Sequence, residues 1–249
     1  MLRLRSLSAA LAIAAAVALA ATPRPLQAAP ASANQLQALE AALNSGDDIS
    51  PLLQGAPGFD PMLLELRRRT LARQFPDARW QLQPGTPLRD GRPTVLVTVT
   101  GSRTDGPSVY RLEASQLVTL ESSGSRINGQ TVLRDQSILR SGDSLPVTVQ
   151  IPDAVLTGQR YDVDVVLDQP LDGAVAAGGI VALTPQQVAG LESPELQLGA
   201  LGGGGLFKTV QAPLGPGSQT WAVLLVHPDG IVSATKRVRV VSDRSQLSL

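Results

Sequence analysis

Residues 110–121 read YRLEASQLVTLE, and apolar and polar side chains alternate along this stretch. Tyr110, Leu112, Ala114, Val118 and Leu120 share one face of this stretch. A period of two residues is typical of a β-strand that buries one face. The stretch therefore predicts a half-buried antiparallel strand, in which Gln116 interrupts the apolar face.

The flanking residues predict a meander of strands that follows two helices. Alternating stretches at 80–83, 94–100 and 126–139 predict further strands, with turns at Asp105-Gly106-Pro107 and at Ser122–Ser125. Upstream, leucines at helical spacing predict a short helix at 34–44. A second helix is expected from Pro61 to about Gln74, because Asp60 can cap its first turn and Pro76 must follow its end. Residues 34–143 are thus predicted to form an α+β roll domain, in which helices pack on a curved antiparallel sheet.

This order of elements resembles the nuclear-transport-factor-two-like (SnoaL-like, cystatin-like) rolls. The resemblance implies a cone between helix and sheet, where enzymatic members hold a small apolar substrate and use Asp, His or Tyr as acid or base. His227, the single histidine of the chain, lies outside this module.

Residues 144–241 predict an all-β sandwich domain, because short alternating stretches are separated by turn residues. The run Pro216-Gly217-Ser218-Gln219-Thr220-Trp221-Ala222-Val223, followed by a hairpin and a last strand, is similar to immunoglobulin-like and fibronectin-type-III-like sandwiches. Thr184-Pro185-Gln186-Gln187 predicts a short inserted helix that ends near Gly190. The predicted fold class is therefore an α+β roll followed by an all-β immunoglobulin-like sandwich, with a C-terminal tail at 242–249.

Residues 1–33 have the composition of a secretory signal peptide and linker. Arg3 and Arg5 precede an uncharged Ala/Leu run from Leu7 to Ala21, which is short of the roughly 20 residues that cross a bilayer. Small residues permit cleavage after Ala20 or after Ala33. The mature protein is accordingly predicted to be periplasmic or extracellular, with no stable membrane insertion after signal removal.

Composition narrows the classes of function. The chain has no cysteine and one histidine, which are too few ligands for a structural zinc site, and we expect no metal site and no cofactor. Residues 1–33 contain three arginines and no acidic residue, which leaves 18 basic against 21 acidic side chains and a net charge of −3. A mildly acidic protein is a poor match for nucleic acid. We also find no catalytic constellation, because no Gly-x-Ser-x-Gly elbow accompanies His227.

Four side chains of the predicted roll are candidate ligand-binding residues: Arg67, Tyr110, Gln116 and Asp135. Arg67 falls within the apolar arc of its helix, and Asp135 shares its predicted face with Leu133 and Ile127. Buried polar groups need partners, and an Arg–carboxylate pair is one way to supply them. A solvated Arg67 head or a purely structural network are the alternatives.

The resulting hypothesis is an exported, non-enzymatic binding or adaptor protein of the bacterial cell envelope, whose partner is a protein or a glycan. The alternative is a small-molecule binding protein or enzyme that uses the cone of the roll. A cavity of ~300 Å³ or more, with at least two of the four side chains in its wall, would favour that alternative.

Overall fold

The computed structural model describes residues 29–141, 145–168, 174–201 and 203–248. Most of the predicted signal segment, residues 1–28, lies outside this range. The chain is mostly β, and three α-helices fall within the described residues: α1 (Ala33–Ser45), α2 (Pro61–Gln74) and α3 (Pro185–Gly190). None of them combines the length and apolar character that crossing a membrane requires.

The strands follow one another along the chain in this order: β1 (Ala29–Pro30), β2 (Arg79–Pro84), β3 (Val95–Asp105), β4 (Ser108–Ser123), β5 (Arg126–Ser141), β6 (Val147–Gln150), β7 (Ala154–Leu156), β8 (Arg160–Leu167), β9 (Ala177–Leu183), β10 (Gly199–Ala200), β11 (Gly205–Gln211), β12 (Gly217–His227) and β13 (Gly230–Val241). Short 3₁₀ turns lie at Ser50–Leu52 and Arg244–Gln246.

The predicted caps of α2 and α3 are confirmed. Asp60 accepts a hydrogen bond from the backbone N–H of Met62, and Pro61 begins α2. Thr184 and Gln187 form the reciprocal capping box of α3, and Ser32 and Gln35 form the same motif on α1. These side chains accept hydrogen bonds from backbone N–H groups that have no partner in the first turn of a helix. Each helix therefore begins directly after its capping residue.

The predicted fold class, an α+β roll followed by a separate immunoglobulin-like sandwich, is wrong. Strand β5 pairs antiparallel with β13, from Asp135 opposite Arg237 to Ser141 opposite Ile231. The meander β2–β5 therefore continues into β13, β12, β9 and β10, and these eight strands form one ten-stranded sheet together with β1, which pairs with β4, and β7, which pairs with β13. The pairing has a simple cause, because the outer edge of β5 carries backbone groups that need partners and β13 supplies them.

A sandwich is present in a coarser sense. The three-stranded sheet β11–β8–β6 faces β12 and β13, and two apolar clusters fill the space between the sheets. Val163 and Val165 of β8 are fully buried there, as is Val238 of β13. The proposed boundary between residues 143 and 144 stays a prediction.

One face of the large sheet packs against the three-stranded sheet. On the other face, α1 and α2 cover strands β2–β5. Leu39 and Leu43 of α1 belong to a cluster with Val95 and Val118 of the sheet. Leu71 of α2 and the following Phe75 belong to a second cluster on β3–β5. This face holds the candidate site.

Helix α1 also completes the edge strand β2. The Asn44 amide donates to the backbone oxygen of Trp80 at 2.8 Å and accepts from the Trp80 N–H at 2.9 Å. Glu40 accepts from the N–H of Leu82 at 2.6 Å. Side chains of α1 thus occupy positions that a further strand would take, and they close this edge.

Replacing Asn44 by leucine is expected to lower the free energy of unfolding by about 1–3 kcal/mol, because the Trp80 N–H and C=O lose their partners in a partly buried place. Urea denaturation followed by tryptophan fluorescence measures the change. Gln37→Leu, at an exposed position of the same helix, is the control. An equal effect of both variants would contradict the role of Asn44.

Strand β11 forms an outer edge of the three-stranded sheet and carries an inward-facing charge. Lys208 lies opposite the buried Val163, and its Nζ is 5.4 Å from the centroid of the Trp221 ring. A charged side chain that points into a sandwich at its edge discourages pairing with another chain.

Lys208→Val is therefore expected to raise the associated fraction of the protein above that of the wild type. Size-exclusion chromatography with light scattering, over a hundredfold range of concentration, measures it. Lys208→Arg keeps the charge and should behave as the wild type. Association of both variants to the same extent would argue against a charge effect.

Candidate functional site: a cavity between helix α2 and the sheet

A small cavity lies between α2 and strands β2–β5. Its volume is about 60 Å³, room for about four water molecules. Its walls are formed by Gly58, Phe59, Asp60, Leu63, Leu64, Arg67, Leu71, Trp80, Val97, Val99, Ala114, Ser115, Gln116, Gln130 and Asp135. Most of this wall is apolar, and the charged side chains in it are Asp60, Arg67 and Asp135.

Three of the four candidate residues meet in this wall. Arg67 comes from α2, Gln116 from β4 and Asp135 from β5. Gln116 and Asp135 are direct cross-strand partners, so their side chains project from the same face of the sheet. The composition that we expected of a ligand site is thus present, whereas the cavity is smaller than the ~300 Å³ expected for a drug-sized ligand.

Tyr110 does not belong to the wall. It is buried in the cluster around Phe75 and Leu71. The guanidinium of Arg103 lies over both rings, 5.2 Å from the centroid of Tyr110 and 5.6 Å from that of Phe75. Tyr110 therefore packs the sheet against the C-terminal end of α2.

A β-bulge determines which side chains of β5 face the cavity. Val118 of β4 lies opposite Val132, and Leu117 lies opposite Arg134, so Leu133 is an extra residue on β5. Val132, and not Leu133, joins Ile127 in the apolar cluster under α1. Asp135 still lines the cavity, because the bulge precedes it and the residues from Asp135 onward resume regular pairing with β4.

Arg237 is a charged residue next to the site that the sequence did not reveal. It lies on β13 directly opposite Asp135 and is only 4% exposed. Burial lowers its pKa to about 10, opposed by the negative charge of Asp135 and reinforced by the positive charges of Arg239 and Arg67. The pKa of Arg67 is lowered by burial as well, and Asp135 opposes that shift. Arg237 remains charged at neutral pH, because its pKa is still well above 7.

The fold and this cavity define a mostly β protein in which helix α2 covers a small cavity on one face of a large sheet, with charged side chains in the cavity wall. Residues 142–241, 100 of the 249, match the family model of a domain of unknown function, DUF8623. No curated protein matches the chain. The matched segment includes β13 and hence Arg237, whereas the residues of the cavity wall precede it.

Proposed function

We propose that the protein is an exported binding protein that holds a small molecule in the cavity under α2. One observation carries this proposal: side chains from three separate elements, Arg67, Gln116 and Asp135, converge on a wall that is otherwise largely apolar. An apolar wall with a few convergent polar groups is typical of sites that bury a ligand and fix its orientation.

The sheet edges favour the cavity over a partner strand as the binding site. Side chains of α1 cover part of β2, and β10 is two residues long. Lys208 places a charge on the edge strand β11. The alternative, an adaptor that binds an envelope protein or glycan, therefore has less support from the edges.

The N-terminal residues of the described chain bear on the proposed export. Ala29 and Pro30 pair with β4, and Ser32 caps α1. Cleavage after Ala33 would remove both features, so we propose that the signal peptide is cleaved at the earlier site, after Ala20. Mass spectrometry of the protein recovered from the periplasm or medium tests this proposal, and a mature protein that begins at Asn34 would overturn it.

A cavity-filling variant tests the binding function even while the ligand is unidentified. Ala114 lies in the cavity wall, so Ala114→Leu adds side-chain volume to that wall. Fragments of at most about eight non-hydrogen atoms are screened by ligand-observed NMR against the wild type and this variant. We expect a subset to bind the wild type and to lose binding in Ala114→Leu.

The matched control is Ala72→Leu, because Ala72 is an exposed residue of α2. It should bind the same fragments as the wild type. Failure of every fragment to bind the wild type, or equal binding to the wild type and Ala114→Leu, would overturn the proposal. Thermal unfolding of each variant shows that it is folded during the screen.

A further inference from the structure

The cavity lies where two apolar clusters of the core meet. Both clusters supply wall residues: Phe59, Leu64 and Val97 come from the cluster under α1, and Leu71, Val99 and Ala114 come from the cluster that contains Phe75. Trp80 packs against both clusters and also lines the cavity. Most of the surface of a bound molecule would therefore contact hydrocarbon, and burial of apolar surface is favourable.

The charges in and behind the wall are balanced. Asp135 interacts electrostatically with Arg67 of α2 and with Arg237, which lies opposite it on β13. Asp60 is the second carboxylate of the wall, and one of its oxygens caps α2. Two carboxylates therefore stand against two guanidinium groups, which leaves no net charge for a ligand to neutralise.

The charged and amide side chains at the centre of the wall are engaged within the protein. Arg67, Gln116 and Asp135 each interact with other groups of the chain. Arg239 of β13 lies outside the wall, and the carboxylate of Asp153 interacts with it. A charged ligand would give up its hydration without gaining an opposite charge, and that exchange is costly. An uncharged ligand avoids this cost.

Gln130 is a polar wall residue outside this network. Its side chain forms no hydrogen bond within the part of the chain that the structure describes. It lies on β5 opposite Leu120, which packs in the cluster under α1. Cross-strand partners project from the same face of a sheet, so Gln130 also faces the helices. Its amide can donate to, or accept from, one polar group of a ligand.

The cavity limits the size and shape of the ligand. Its volume of about 60 Å³ admits roughly four to six non-hydrogen atoms. The wall residues on and beside α2 run from Asp60 to Leu71, about 16 Å along the helix axis. Asp60 is exposed and Leu71 is buried, so the deep end of the cavity lies toward Leu71. A small volume drawn out along a helix suits an unbranched chain.

We propose that the ligand is an uncharged, unbranched molecule of roughly four to six non-hydrogen atoms, whose alkyl chain extends toward Leu71 and whose single polar group contacts Gln130. Short primary alcohols are the simplest members of this class. An apolar wall offers water few hydrogen bonds, so an alkyl chain replaces water there at little cost. This inference rests on the proposed binding function and names the ligand class for the same cavity.

Three probes with the same number of non-hydrogen atoms test the charge of the ligand: n-butanol, propionate and n-butylammonium. Their binding at constant ionic strength is followed by the NMR signals of the two tryptophan indole N–H groups. Trp80 lines the cavity, whereas Trp221 lies between the two sheets and donates to the Tyr161 hydroxyl at 2.9 Å. Trp221 therefore serves as an internal control.

We expect n-butanol to shift the Trp80 signal with a Kd of about 1 mM and to leave the Trp221 signal unchanged. Propionate and n-butylammonium should bind at least about tenfold more weakly, because each carries a charge that the site does not compensate. The branched isomer tert-butanol should also bind at least about tenfold more weakly than n-butanol. Loss of n-butanol binding in Ala114→Leu, and its retention in Ala72→Leu, would place the ligand in the cavity.

Gln130→Leu tests the assigned polar contact and is expected to weaken n-butanol binding about threefold. The matched control is Gln136→Leu, because Gln136 follows Asp135 on the same strand and projects from the opposite face of the sheet. It should bind n-butanol as the wild type does. Equal binding by the two variants would overturn the contact with Gln130.

The outcomes separate the ligand class from the binding function. Binding of propionate or n-butylammonium as tight as that of n-butanol overturns the uncharged class, and equal binding of tert-butanol overturns the unbranched shape. Undiminished n-butanol binding by Ala114→Leu overturns the placement in the cavity. Failure of n-butanol while other fragments of the screen bind overturns this inference alone. Failure of n-butanol and of every fragment overturns both proposals.

Discussion

The Asp135→Asn variant is expected to lose about 3–5 kcal/mol of unfolding free energy. Asp135 is 1% exposed and is the carboxylate that compensates the buried charges of Arg67 and Arg237. Its removal leaves two guanidinium groups in the interior without that compensation, and burial of uncompensated charge is among the most costly changes in a protein. Urea denaturation monitored by the fluorescence of Trp80 and Trp221 gives the value.

The matched variant, Arg237→Met, removes the positive partner of Asp135. Arg237→Met should cost less than Asp135→Asn, because Arg67 and Asp135 then balance each other. Combining both substitutions should recover part of the loss caused by Asp135→Asn alone. Asp168→Asn, at an exposed site, serves as the control and should change stability by no more than about 0.5 kcal/mol. A loss below about 1 kcal/mol for Asp135→Asn would mean that water solvates the arginines, and it would contradict the compensating role of Asp135.

The Phe75→Ala variant is expected to lose a similar amount, about 3–5 kcal/mol. Phe75 is fully buried directly after α2 and packs in one cluster with Leu71, Leu112 and Leu139. Its ring anchors the helix that roofs the cavity, so its removal leaves a void and loosens α2. Chemical denaturation measures the loss, and fragment binding should fall in the same variant.

Phe207→Ala is the matched control for this substitution, because Phe207 is 66% exposed on β11. It should change the unfolding free energy by no more than about 0.5 kcal/mol. Similar losses in the two variants would contradict the assignment of Phe75 as the anchor of α2.

Local signals allowed the helix ends to be predicted. Asp60 and Pro61 at the start of α2, and Thr184 to Gln187 at the start of α3, determine backbone conformation through contacts within a few residues. The alternation along β4 likewise predicted its strand, because a strand exposes its two faces at every second residue. Arg67 falls within the apolar arc of α2 in the sequence, and in the structure it lines the cavity.

Signals of this kind could not reveal Arg237. The alternation of β13 correctly turns Val238 and Val240 toward the sandwich interior, which implies that Arg237 faces the other way. That other side is not solvent, because β5 pairs beside it and Asp135 lies directly opposite. No feature of the sequence near Arg237 predicts its contact with Asp135, which is 102 residues away in the chain.

The amino-acid sequence by itself determined the caps of α2 and α3, most of the strands and the inward direction of Arg67 and Gln116, because these depend on periodicity and on contacts between near neighbours in the chain. The direction of Asp135 depends in addition on the bulge at Leu133, which the alternation of β5 does not predict. Only the tertiary structure decided that β5 joins β13, that two predicted modules share one sheet and that a second arginine stands beside Asp135. A strand edge can satisfy its hydrogen bonds with any other edge, and the choice among them is made by the packing of the whole chain.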